Sequence, residues 1–87
     1  QTYKFGKDVS YNRPQSAIYA ELRHVHLVPI SRRGNTSDRC LVYTSGFTDN
    51  NAFLLLAILE PNAHELSRSM LRMANLADIA EKFRNRF

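Results

Sequence analysis

The 87-residue chain has one cysteine, no tryptophan, three glycines and three prolines. A lone Cys40 forms no internal disulfide and completes no zinc cluster, so packing must carry the fold. It reads as a small buried hydrophobe on a strand, and a reducing cytoplasm suits it. No apolar run approaches the ~18 residues of a membrane span. The longest, Ala52 to Leu59, has the length of a buried strand. The amino end is polar and lacks the apolar h-region of a signal peptide. Gln1 stands where a starting methionine would, so it is expected to be an internal residue of a longer product or a chosen boundary of the chain. There is no glycine-rich phosphate loop and no nucleophile elbow.

What is present is ordinary globular material, 44% hydrophobic and 23% charged, expected to form one small domain over residues 1–87. Twelve Lys and Arg against eight Asp and Glu leave a net charge of +4. That surplus suits a polyanion or an acidic protein partner, and equally a solvated basic surface.

Residues 1 to 16 read as an irregular or edge segment, with Tyr3, Phe5 and Tyr11 as anchors. Residues 17 to 23 fit a strand by Ile18, Ala20 and Leu22, or a helix by Ile18, Leu22 and Val25. His24-Val-His-Leu-Val alternates, placing His24, His26 and Val28 on one strand face and Val25 and Leu27 on the other. Ser31 to Arg39 has almost nothing to bury and reads as a loop. Cys40 to Ser45 and Ala52 to Leu59 form an antiparallel hairpin around Gly46 to Asn51. The second of these is apolar on both faces, which predicts a central strand covered on both sides. Pro61 closes it. Asn62 and Glu65 offer a capping box for a helix. Leu66, Met70, Met73, Ala77, Ala80 and Phe83 then recur at helical spacing, with Asn75 a candidate break.

Two imidazoles in His24-x-His26 can chelate, but a third ligand must come from Asp8, Asp38 or His64, and the spacing selects none; no metal is expected. His64 and Arg68 carry more. They lie at i and i+4 in the first helical turns after a buried strand, on one helix face. Cleavage of RNA by its own 2′-hydroxyl needs a base, an acid and cations for the charge growing on phosphorus. Histidine suits either proton role near neutral pH, and arginine clamps a phosphate in bidentate fashion. The competing reading makes His64 a capping or packing residue and pairs Arg68 with Glu65 or Asp49. His24, His26, Arg32, Arg33 and Arg84 are further candidates for RNA or ribosome contact. The aromatics Tyr19, Tyr43 and Phe53 read as core, and Phe47 at the turn as a stacking or partner-binding group.

Several stretches together resemble the YafO-type toxins of bacterial type II toxin–antitoxin systems, within the wider RelE/ParE-like group. They are Phe5-Gly-Lys-Asp8, His24-Val-His-Leu27, Leu41-Val-Tyr43 with Gly46 and Phe47, and Ala57-Ile-Leu-Glu-Pro61. His64 with Leu66 and Arg68 and the terminal Ala80-Glu-Lys-Phe-Arg-Asn-Arg-Phe87 complete the set. The resemblance covers Phe5 to Phe87. It implies an α+β fold, a small antiparallel sheet of three to four strands against C-terminal helices, as in microbial ribonuclease-like toxins. It implies a ribosome-dependent mRNA endoribonuclease, an mRNA interferase, restrained by a cognate antitoxin and working in the cytoplasm without a cofactor. It does not name the acid or the base. Relatives carry a largely helical amino-terminal segment before the Phe-Gly-basic-Asp stretch, which this chain is expected to lack, and their loop matching Ser31 to Arg39 is longer. The alternatives are a non-catalytic antitoxin- or ribosome-binding protein, or a toxin directed at DNA gyrase.

Overall fold

A computed structural model describes residues 2–87. The alternating segments become four strands, β1 (Tyr3–Ser10), β2 (Arg23–Pro29), β3 (Cys40–Ser45) and β4 (Phe53–Leu59). They pair antiparallel in the order β1-β2-β3-β4, so every sheet neighbour is also a sequence neighbour. Between β1 and β2 lies a short helix, α1 (Gln15–Tyr19); after β4 come α2 (Ala63–Leu66) and α3 (Met70–Arg86). This is the α+β arrangement expected. The ambiguous stretch 17–23 is helix first and strand second, with Glu21 at φ 50° making the corner.

Alternation decides which face is covered. Cys40, Val42 and Thr44 of β3 point to the helices and are buried. Ala17, Ala20 and Leu22 meet Met73, Ala77 and Ala80 of α3 in one core cluster. Cys40, Val42, Leu59 and Ala63 form a second, with Leu56, Leu76 and Tyr11 packed against both. The small residues of α3 let it lie close on the sheet. Thr44 is fully buried, and its hydroxyl donates to the Ala20 carbonyl at 3.0 Å, so the corner before β2 is tied to β3.

Four expectations are corrected. The strand β4 is at the sheet edge, not the centre, and Phe53, Leu55 and Ile58 on its outer face stay exposed. An apolar composition reports how hydrophobic a strand is, not how many neighbours it has. Tyr19 and Phe53 are likewise exposed instead of core. The helical tail breaks at Ser67–Ser69, not at Asn75, because Ser69 takes an extended conformation and caps α3, its hydroxyl accepting from the Arg72 N–H at 3.3 Å. Asn62 does not cap α2: it sits in the left-handed region at φ 63°, and its side chain makes no capping bond. Asparagine tolerates that conformation better than most residues.

The loop between β2 and β3 folds back on β1. Its Asn35 carbonyl accepts from the Lys7 N–H at 2.7 Å. A side chain at Gly6 would put its Cβ 2.3 Å from that same oxygen, so only glycine permits this approach. The loop also reaches α2, where the Asp38 carbonyl accepts from the Ala63 N–H at 2.9 Å. Among the described residues no helix is long and apolar enough to cross a membrane.

Candidate active site

Where β1 ends, β2 starts and α2 begins, the chain encloses an open-sided hollow of about 250 Å³. Its walls carry His24 and His26 from β2, His64 and Arg68 from α2 and the turn after it, and Tyr11 and Arg13 from the turn after β1. Among the described residues no carboxylate lines it. Among the described residues neither Arg13 nor Arg68 enters an ion pair, while four of the other ten Lys and Arg residues do, in Asp8–Arg23, Arg39–Glu60, Lys82–Asp78 and Arg84–Glu21. A cleft with guanidinium and imidazole groups but no acid attracts an anion.

Each imidazole is held differently. Tyr11 lies against the His24 ring, centroids 4.4 Å apart, and the His24 and His26 rings meet edge to face at 5.8 Å. The His24 Nδ1 is buried without a hydrogen-bond partner among the described residues. Burial, then the neighbouring His26, pushes the His24 pKa below its ordinary 6.5, so this ring stays neutral at neutral pH. A buried lone pair is easier to leave unpaired than a buried N–H, which places the proton of His24 on Nε2. At His26 the Nδ1 accepts from the Ser37 N–H at 2.9 Å, and the Ser37 carbonyl lies 2.8 Å from the same nitrogen. At His64 the Nε2 accepts from Arg68 Nη2 at 3.1 Å. A guanidinium has only donors, so in this arrangement His64 is neutral with its proton on Nδ1. The Arg68 partner is therefore His64, not Glu65 or Asp49.

Tyr11 and Ser67 share a hydrogen bond between their hydroxyls at 2.9 Å, which fixes the turn after α2 against the end of β1. Burial raises the Tyr11 pKa, the Ser67 bond opposing it, so the phenol keeps its proton. Cys40, behind His26 at 3.7 Å from Sγ to Nδ1, is also pushed up by burial and remains a thiol.

The structure thus brings together His24, His26, His64 and Arg68 and leaves three candidates elsewhere. Arg32 lines a separate depression beside Tyr3, Arg39 and Glu60. Arg33 projects from the exposed loop. Arg84 is at the far end of α3, its side chain only 10% exposed, paired with Glu21 and donating to the Ser45 carbonyl at 2.6 Å. The Arg84 guanidinium also sits 5.6 Å from the exposed Phe47 ring. Tyr11, Arg13 and Ser37 were missed as site residues. They are far from residue 64 in sequence, and only the pairing of β1 with β2 and the fold-back of the loop bring them in; no local spacing marks them.

Comparison with known proteins gives the family. Residues 1–85 match the family model described as toxin YafO, type II toxin–antitoxin system. The chain is similar to the mRNA interferase toxin YafO of Escherichia coli (strain K12), 33% identical over 95 aligned positions that cover 95% of this chain and 72% of that protein. No solved structure matches. The chain belongs to the YafO toxin family of type II toxin–antitoxin systems, a class defined by pairing with an antitoxin.

Proposed function

We propose that this protein is an mRNA interferase: it cuts mRNA on the translating ribosome, in the cytoplasm, through the hollow at the end of the sheet. The observation that carries the reading is the gathering of three imidazoles and two unpaired guanidinium groups around a space with no carboxylate among the described residues. The E. coli relative is named for the same activity.

The chemistry follows from the groups present. A scissile phosphate entering the hollow meets Arg13 and Arg68, which neutralise its charge and the further charge of the transition state. Arg68 exchanges His64 Nε2 for a phosphate oxygen. That frees His64 to take up a proton and deliver it to the leaving 5′-oxygen. The neutral His24 directs an N–H and Tyr11 an O–H toward the substrate side without competing for its protons. The 2′-hydroxyl is the nucleophile, so amino-acid acid and base groups suffice and no cofactor is called for. Arg32 and Arg33 lie outside the hollow, and a role for them is contact with the ribosome or with RNA beyond the cut.

Expression is expected to arrest growth, and the purified protein to cleave mRNA only on ribosomes. His64→Ala and Arg68→Ala should each lower cleavage by about 100-fold or more while the fold, read by circular dichroism, is kept. Full activity in both variants would remove the hollow from the mechanism. Ribosome binding with intact mRNA in the wild type would instead assign a non-catalytic binding protein.

A further inference from the structure

The His26 ring has a feature that neither of the other imidazoles shares. Both backbone polar groups of one residue, the Ser37 N–H and the Ser37 C=O, lie within hydrogen-bond distance of its inner nitrogen, at 2.9 and 2.8 Å. With the ring proton on Nε2, Nδ1 accepts from the N–H. With the proton on Nδ1, or with both nitrogens protonated, Nδ1 donates to the C=O. The inner nitrogen thus has a partner in each protonation state, and Nε2 can lose or gain a proton without leaving that nitrogen unpaired. His24 lacks this, because its Nδ1 is buried with no partner. His64 lacks it too, because its Nε2 is occupied by Arg68.

Ser37 is itself braced. Its hydroxyl donates to the Leu27 carbonyl at 2.7 Å and accepts from the Arg39 N–H at 3.2 Å, which fixes the loop to both β2 and the start of β3. The next residue, Asp38, anchors the start of α2 through its carbonyl. One short loop segment therefore sets His26 and the wall that carries His64.

We infer that His26 is the general base of the reaction and that Ser37 is its positioning residue. This rests on the ribonuclease reading above and goes beyond it by separating the roles of the imidazoles. The Nε2 of His26 takes the proton from the 2′-hydroxyl as that oxygen bonds to phosphorus. The bond from phosphorus to the 5′-oxygen breaks, and the leaving oxygen takes its proton from the protonated His64. The products are a 2′,3′-cyclic phosphate and a 5′-hydroxyl, and solvent returns both rings to their starting charge. The titratable and charged groups around His26 are His24 on its own strand, Cys40 on β3, Asp38 and Arg39 on the loop, Tyr11 and Arg13 after β1, and His64 with Arg68 from the helix side.

The test is the rate of a single round of cleavage on programmed ribosomes, measured against pH. The wild type should give a bell-shaped profile. His26→Gln should be slower by about 100-fold or more near neutral pH, and its residual rate should no longer fall on the acidic side. His64→Gln should instead lose the fall on the alkaline side. Ser37→Ala keeps the peptide but loosens its brace; it should retain ribosome binding, lose about tenfold in rate and displace the acid-side midpoint. A His26→Gln protein within about threefold of wild type overturns the inference, as does a slow one whose acid limb is intact. If His26→Gln does not fold, Ser37→Ala decides, and an unmoved midpoint overturns it. No cleavage by the wild type at any pH is a different failure: it removes the ribonuclease reading and this inference with it.

Discussion

At the scale of the residue, the immediate surroundings give each histidine its character. His24 is the ring whose proton affinity is reduced, first by burial and then by the positive neighbourhood of His26. Its folded pKa lies below the unfolded value of 6.5. Where the pH falls below that value the unfolded chain binds a proton at this position that the folded chain refuses, so stability declines with falling pH. Above it both states are neutral and the group contributes no pH dependence. The expected outcome is a urea midpoint that drops between about pH 7 and about pH 5.5, with a shallower drop in His24→Gln. Equal slopes in the two proteins would assign the acid sensitivity to other groups.

At the scale of the element, the fold stands on the seam between α3 and the sheet. Met73 is fully buried among Ala17, Ala20 and Leu22, and the alanines around it leave nothing large enough to fill a gap. Met73→Ala should destabilise the protein by about 2–5 kcal/mol in urea denaturation, whereas Leu71→Ala, at a site 73% exposed, should stay within about 0.5 kcal/mol. Comparable losses at both sites would contradict the packing described. The elements were legible in the sequence to the extent that their signals are local. Alternation at His24–Val28 and Cys40–Ser45, turn residues at Gly46–Asn51 and helical spacing after Met70 each found their element. The helix break was not legible, because Ser67 and Ser69 are unremarkable until Ser69 turns its hydroxyl to the Arg72 N–H. The edge position of β4 was not legible either, since a second face of leucines and isoleucines reads as buried whether or not anything covers it.

At the scale of the whole molecule, a four-strand meander has one face under helices and the other open. The open face carries Phe5, Leu41, Phe53 and Leu55 around an Asp8–Arg23–Tyr43 cluster. The hollow lies on the helix side, at the end of the sheet, where segments from four parts of the chain converge. Half of that site could be read in advance. His64 and Arg68 share a helical face, and His24 and His26 share a strand face, both from spacing alone. That these two faces meet depends on the Ser37–Asp38 segment joining β2 to α2, a long-range contact with no sequence signal. That the hollow gathers two guanidinium groups with no carboxylate among its described lining is also a property of the assembled fold.

The reaction proposed for this hollow is cleavage of RNA by attack of the RNA's own 2′-hydroxyl. It is tested most directly by the chemistry of the ends left on an mRNA cut on translating ribosomes. The prediction is a 2′,3′-cyclic phosphate on the upstream fragment and a 5′-hydroxyl on the downstream one, with no cut in mRNA whose 2′-hydroxyl at the cleavage position is replaced by hydrogen. A 3′-hydroxyl and a 5′-phosphate, or continued cleavage of the deoxy-substituted message, would contradict it.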